Sequence, residues 1–154
     1  KVASQVQRAH VRGQQPLLAA ELLAEQRLDD ADVDAQQLRQ VIHNLLQNAQ
    51  DACEARGEAV SQARVQLRTE WRPARQRVRL TVTDTGPGFA PNILKRAFEP
   101  YVTTKAKGTG LGLAVVKKIA DEHHARIEIK NRLEGDETVG AQVSLSFRIA
   151  NPAS

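Results

Sequence analysis

The apolar residues of this chain repeat with two different periods, so it must pair helices with sheet. Leu38, Val41, Ile42, Leu45, Leu46, Ala49, Ala52 and Cys53 recur on one side of a helix. Asp34 with Gln37 three residues later has the form of a capping box at its start, and Gly57 is placed to end it. From Val65 the period falls to two. Val65, Leu67, Thr69 and Trp71 alternate with Arg64, Gln66, Arg68 and Glu70; beyond a turn around Pro73, Val78, Leu80 and Val82 alternate with Arg77, Arg79 and Thr81. A second helical stripe carries Leu113, Val116, Ile119 and Ala120, Ile127 and Ile129 open another strand, and Ala141, Val143, Leu145, Phe147 and Ile149 alternate with polar residues. Half-apolar strands and one-sided helices bury both stripes by stacking. The expected fold is therefore α+β: a two-layer α/β sandwich, its mixed, mostly antiparallel sheet covered on one face by helices.

With 154 residues the chain has room for one domain. Residues 1–15 are polar, and Gly13 and Pro16 interrupt the run, so they read as the end of a preceding segment or a linker, with the domain over 16–154. Leu17 to Leu23 fit either a strand or a short helix. Lys1 stands where an initiating Met would, so a piece of a longer protein is expected. No apolar run approaches the roughly 18 residues of a membrane span, which argues against direct membrane contact. Cys53 is the only cysteine and lies on the apolar side of its helix, so it reads as a core residue in a reducing compartment. A net charge of +4 favours an anionic partner. Nucleic acid is a poor fit, because aromatics are 3% of the chain and only Trp71 and Phe147 lie outside the stretch Phe89 to Tyr101. The hairpin arginines Arg64, Arg68, Arg72, Arg75, Arg77 and Arg79 read as a solvated outer face.

Chemistry concentrates in four places. Asn44, Asn48 and Asp51 lie at i, i+4 and i+7 on the first helix, one stripe of oxygen donors beside the apolar face. Such a stripe suits a hard cation like Mg²⁺, and it is equally the composition of a solvated helix edge. Asp84-Thr85-Gly86-Pro87-Gly88-Phe89 closes a strand with a carboxylate and two glycines, giving a fixed acceptor for an exocyclic amine and a backbone that can pass close to a flat ligand; a plain turn uses the same residues. Gly108-Thr109-Gly110-Leu111-Gly112-Leu113 opens the second helix, where backbone N–H groups and the helix dipole favour an anion. It fits neither a Walker A loop, lacking Gly-Lys-Ser/Thr, nor a dinucleotide-binding fingerprint, which needs a βαβ unit. Between them runs Phe98-Glu99-Pro100-Tyr101-Val102-Thr103-Thr104-Lys105-Ala106-Lys107. Lysines beside a phosphate cradle describe a lid, with Lys105 and Lys107 as the phosphate contacts.

In this order and on these elements, the four stretches resemble the N, G1, F and G2 boxes of the histidine-kinase catalytic domain, in the superfamily of gyrase, chaperone, kinase and mismatch-repair ATPases. Within it, Phe-Glu-Pro-Tyr and Thr-Thr-Lys before Gly-Thr-Gly-Leu-Gly-Leu are most similar to nitrogen-regulation sensor kinases of the NtrY and NtrB type. The resemblance implies the Bergerat ATP-binding fold, ATP as substrate and Mg²⁺ as cofactor. It makes Asn48 the Mg²⁺ ligand, with Asn44 beside the phosphates and Asp51 at the same edge. Asp84 becomes the acceptor for the adenine amine, Gly86 and Gly88 the floor of its pocket, and Thr104, Lys105, Lys107, Gly108, Thr109, Gly110, Leu111 and Gly112 the border of the triphosphate. Asn44, Asn48 and Lys105 would then assist transfer. One departure is Gly140-Ala141, where the family usually has Gly-Thr near this Asp; the lost hydroxyl predicts a modestly weaker site.

The superfamily's hydrolases carry a Glu where Asn44 stands, and an amide cannot serve as a base toward water. Asn44 thus favours transfer to a histidine over hydrolysis. None of His10, His43, His123 or His124 stands in the family's phosphoacceptor setting of His, an acidic residue and then Pro, so the acceptor is expected on a separate dimerisation domain. The expected partners are ATP or ADP, that domain and a response regulator; the expected location is the cytoplasmic part of a membrane-anchored sensor, and this piece alone is expected to be a monomer. A nucleotide-binding interaction module of the same fold, without phosphotransfer, is the alternative.

Overall fold

The computed structural model describes residues 5–11, 28, 31–55, 65–99 and 112–149. The expected strand or helix at Leu17–Leu23, the helix end at Gly57 and the lid and glycine residues 100–111 lie outside them.

Helix α1 (Ala35–Ala55) starts where the sequence places it. Asp34 Oδ2 accepts from the Gln37 backbone N–H at 3.1 Å, and the Asp34 carbonyl accepts from Leu38 N–H at 2.8 Å. The capping box is half made: the Gln37 amide reaches across to Glu122 Oε2 at 3.4 Å, tying the start of α1 to the end of the second long helix. Leu38, Val41, Ile42, Leu45, Leu46, Ala49 and Cys53 are all buried, which accounts for the helical stripe. Burying a large aliphatic side chain stabilises by about 1.5–3 kcal/mol, so this row is a main anchor between the layers.

The sheet has five strands in the order β1-β2-β3-β5-β4, with β1 over Gln5–Val11, β2 over Val65–Arg72, β3 over Arg77–Asp84, β4 over Arg126–Glu134 and β5 over Glu137–Arg148. A 3₁₀ turn over Pro73–Arg75 joins β2 to β3, as expected of the hairpin. The residue after it, Gln76, takes φ 52° before Arg77 enters the ladder opposite Arg72.

The strand pairing adds two details to the sequence reading. Every ladder among the described strands is antiparallel, so no parallel pair of a mixed sheet occurs among them. The crossover from β3 lands beyond β5, which separates β3 from β4. And Gln5–Val11, read as a preceding segment or linker for its polarity, pairs with β2 along its whole length from Gln5 opposite Trp71 to Val11 opposite Val65. An edge strand is paired on one side only and tolerates a polar sequence that would not suit the middle of the sheet.

Helix α2 (Pro91–Arg96) is short, with Pro near its start where a missing N–H costs nothing. Helix α3 (Gly112–Glu122) buries Val116, Ile119 and Ala120. Both long helices cover the same sheet face, α1 packing on β2, β3 and α3, and α3 on β4. Beneath them Val65, Leu67, Val78, Leu80, Val82, Val143, Leu145 and Phe147 complete the core. The chain leaves α3 through a Schellman motif: Ala125 N–H donates to Ala120 O at 2.8 Å, His124 N–H to Asp121 O at 3.3 Å, and His124 adopts φ 54° where glycine is usual.

The sheet face opposite the two long helices carries the arginines. Arg68 and Arg72 reach Glu70 Oε1 at 3.6 and 3.0 Å, and the hydrogen bond from Arg72, with the charges of Arg72, Arg68 and Arg79, holds the Glu70 carboxyl below the usual carboxylate range. Arg77 donates to the Ser146 carbonyl at 2.8 Å; burial and then the charges of Arg126 and Arg148 push its pKa down. These contacts make an ion-paired, hydrogen-bonded face that is only partly exposed, with Thr81 and Ser144 buried on it.

Candidate functional site

Strand β3 ends at Asp84, which is 7% exposed. Its Oδ1 accepts from Gly86 N–H at 2.9 Å and from Ala141 N–H at 3.2 Å, so main chain from its own loop and from β5 sets the orientation of the carboxylate. The Ala141 bond is made by the backbone, so this part of the anchoring does not need the hydroxyl that a Thr would bring.

The glycines around Asp84 are explained by their neighbours. A Cβ on Gly86 would stand 2.7 Å from both the Cβ and the carbonyl oxygen of Ala52 on α1. On Gly88, at φ 76°, it would meet Thr138 Cγ2 at 2.5 Å. On Gly140 it would lie 1.9 Å from the Asp84 carbonyl oxygen. The loop is thus pressed onto α1 on one side and onto β4 and β5 on the other. Thr85 adds a contact to the buried Cys53, Oγ1 to Sγ at 3.6 Å, and Cys53 is the core residue the sequence reading expected.

The second half of the site is the polar stripe of α1, where Asn44, Asn48 and Asp51 are all half-buried. Gly112, the first residue of α3, faces Asn48 so closely that a Cβ there would be 3.3 Å from the Asn48 amide nitrogen. The two helices therefore meet at that amide. Asp51 Oδ1 accepts from Gln47 Nε2 at 3.0 Å. Asn48 and Ala52 are one turn apart, so a single turn of α1 borders Gly112 on one side and Gly86 on the other. Three of the four stretches singled out in the sequence converge on that turn. Thr104, Lys105, Lys107, Gly108, Thr109, Gly110 and Leu111 lie outside the described residues; Phe98, just before them, lines with Ala114 and Val115 a groove of about 500 Å³ beside α3.

Among the described residues no three His, Cys, Asp or Glu side chains group together. A cation at Asn48 would take few ligands from the protein and most from phosphate oxygens and water, which is the habit of Mg²⁺. The histidines have structural surroundings. His123 Nδ1 lies 2.8 Å from the Ile119 carbonyl and its Nε2 accepts from Asp34 N–H at 3.4 Å, while His124 closes the helix.

Sequence reasoning missed Asn131 and Arg132 on β4. Asn131 Nδ2 donates to the Phe89 carbonyl at 2.7 Å and its Oδ1 accepts from Phe89 N–H at 2.8 Å. Arg132 Nη1 donates to the Asp84 carbonyl at 2.7 Å. A signal existed for the first: Asn131 continues the Ile127, Ile129 series, where an apolar residue is expected and a polar one needs a partner.

Residues 33–151 match the family of histidine kinase-, DNA gyrase B- and HSP90-like ATPases. The chain is 39% identical over 120 residues to a sensor histidine kinase NtrY-like protein of Rickettsia bellii, covering 78% of this chain and 18% of that protein. It is 35% identical over 122 residues to the nitrogen regulation protein NtrY of Azorhizobium caulinodans, covering 79% of this chain and 15% of that one. These names agree with the NtrY-type motifs. The chain thus spans under a quarter of the length of either relative. Among solved structures, full-length ShkA in complex with AMPPNP superposes with a TM-score of 0.63 at 27% identity, over 97% of this chain and 33% of that one.

Proposed function

Because this chain belongs to the family of histidine kinase-, DNA gyrase B- and HSP90-like ATPases, we propose that it serves a sensor histidine kinase as its ATP-binding catalytic domain, presenting Mg-ATP to a histidine elsewhere in the longer protein. The observation that carries this reading is the buried Asp84, its Oδ1 held by two backbone N–H groups at a strand end, in a loop whose Gly86 meets α1 at Ala52, one helical turn from the Asn48 that faces Gly112. A fixed carboxylate selects an amine-bearing base, and an amide stripe beside a helix N-terminus suits phosphates.

In this reading Asp84 accepts from the adenine amine, and Gly86 and Gly88 let the loop pack closely enough to bring it there. Asn44, Asn48 and Asp51 line the phosphate end, with Asn48 the ligand for Mg²⁺, which would neutralise phosphate charge. Thr104, Lys105, Lys107, Gly108, Thr109, Gly110, Leu111 and Gly112 close over the triphosphate, and Lys105 takes up charge as it develops. The histidine nitrogen attacks the γ-phosphorus, the bond to the β-phosphate oxygen breaks, and ADP departs; catalysis is positioning and charge neutralisation. Asn44 offers no proton acceptor for water, so the chain alone hydrolyses little ATP. The parent protein works where cytoplasmic ATP is available and passes the phosphoryl group on to a response-regulator aspartate.

The test is incubation with γ-labelled ATP and Mg²⁺, with and without the polypeptide bearing the acceptor histidine. Acid-labile, base-stable label on that polypeptide is the expected result. Tight ATP binding with no label would instead support a nucleotide-binding interaction module, and steady phosphate release by this chain alone would support a hydrolase.

A further inference from the structure

We propose that Asn131 and Arg132 are positioning residues of the base pocket, clamping both ends of the Asp84–Phe89 loop so that Asp84 meets the nucleotide in one geometry; the inference rests on the reading of Asp84 as the base acceptor.

Both ends of the loop are bonded to side chains of β4. At its start, Arg132 Nη1 donates to the Asp84 carbonyl at 2.7 Å. At its end, the Asn131 amide takes both main-chain groups of Phe89, donating to its carbonyl at 2.7 Å and accepting from its N–H at 2.8 Å. An amide side chain bonded in this way imitates a neighbouring strand, so Phe89 is fixed in position and orientation together. Strand β5 lies between β4 and β3, and Gly140 is the residue that lets Arg132 across it. Arg132 and Gly140 are direct partners in the ladder, and a Cβ on Gly140 would sit 3.2 Å from Arg132 Nη1 as well as on the Asp84 carbonyl. The ladder register shifts between Arg132 and Leu133, so the strand is irregular at the clamp. Gly88 completes the fit, since a Cβ there would stand 2.9 Å from Asn131 Oδ1.

Neither side chain belongs to the four motif stretches, and neither needs to touch the nucleotide. The loop holds two glycines, which leave a free chain many conformations. Fixing its ends removes that freedom before the ligand arrives, and a preorganised acceptor binds more tightly than one ordered on binding.

The experiment is calorimetric titration of wild type, Asn131→Ala, Arg132→Ala and Arg132→Lys with Mg-ATP, Mg-GTP and Mg-tripolyphosphate, alongside thermal unfolding. Losing the paired bonds at Asn131 should weaken ATP by roughly tenfold and narrow the preference for ATP over GTP, with tripolyphosphate binding unchanged because it has no base. Arg132→Ala should behave likewise, and Arg132→Lys, which keeps a cationic donor, should recover much of the loss. Wild-type ATP affinity in Asn131→Ala overturns the proposal. So does an equal loss of ATP and tripolyphosphate, which would mark a purely structural role. Asp84→Asn separates the two readings: weakened ATP there with unaltered binding in Asn131→Ala overturns the clamp alone, whereas unaltered binding in Asp84→Asn overturns the base assignment and the clamp with it.

Discussion

The two ends of the site are built differently. Around Asp84 the loop is held by backbone donors from Gly86 and Ala141, by side-chain bonds from Asn131 and Arg132, and by glycines that admit Ala52, Thr138 and the Asp84 carbonyl at distances no side chain would allow. Around Asn48 there are polar side chains on a helix stripe and the bare first residue of α3, where a Cβ would stand 3.3 Å from the Asn48 amide nitrogen, a tight approach but short of the overlaps around Asp84. On the proposed function, the end that would take the base is specified by covalent shape and directed hydrogen bonds, and the end that would take the phosphates by the kinds of atoms it offers. A rigid neutral ring is recognised by geometry, so its acceptor must be immobile before binding. A flexible, highly charged triphosphate with its metal brings its own charges and coordination shell, and needs donors nearby more than a fixed mould.

The largest way to break this contrast is Gly140→Ala. The new Cβ lands on the Asp84 carbonyl, which sits between Arg132 and the rest of β3, so the backbone must shift and the clamp with it. Denaturant unfolding should show a loss of about 3 kcal/mol or more, and ATP affinity should fall with it. Wild-type stability would mean that the base end is far softer than its geometry implies.

Asp84→Asn cuts more finely. Its amide oxygen can still accept from Gly86 and Ala141, so the fold survives while the charged acceptor is lost. ATP should bind about 1.5–3 kcal/mol more weakly, ten- to a hundredfold, in calorimetry. The loss should be the same with or without Mg²⁺, since it arises at the base.

Asn48→Ala addresses the other end and should reverse that pattern. Affinity for Mg-ATP should fall by about 1–2 kcal/mol, with a much smaller effect on ATP measured in a chelator. Asn48 is half-buried, so the truncation leaves little enclosed space and stability should drop only slightly in a thermal scan. Equal losses with and without Mg²⁺ would make Asn48 a packing residue.

The smallest change lies outside both ends. His124 holds φ 54° in the Schellman motif after α3, a conformation that glycine adopts without strain. His124→Gly should raise stability by about 0.5–1 kcal/mol in denaturant unfolding and leave nucleotide affinity untouched.

What could be read from the sequence follows the same division. Helix α1, the hairpin and β5 were legible because their apolar periods are clean, and the motif glycines with Asp84 stood out because turn chemistry concentrates there. Strand β1 was not, because an edge strand pairs through backbone groups that leave no mark on side-chain pattern. Arg132 was not, because its bond to Asp84 crosses an intervening strand and depends on Gly140 being opposite it, a coincidence of register that no local rule contains. Asn131 was half visible, a polar residue in an apolar series whose partner only the fold identifies. Gly86 and Gly88 were marked as permitting close approach, and what they approach in this structure is protein.

The central claim is that Asp84 and its held loop read the base while α1 and α3 read the phosphates. Calorimetric titration of this chain with Mg-ATP, Mg-GTP and Mg-tripolyphosphate, in wild type and Asp84→Asn, tests it most directly. The account predicts that wild type prefers ATP over GTP and that Asp84→Asn loses most of this preference while binding tripolyphosphate as before. Equal affinity of wild type for ATP and GTP, or an unchanged preference in Asp84→Asn, would contradict it.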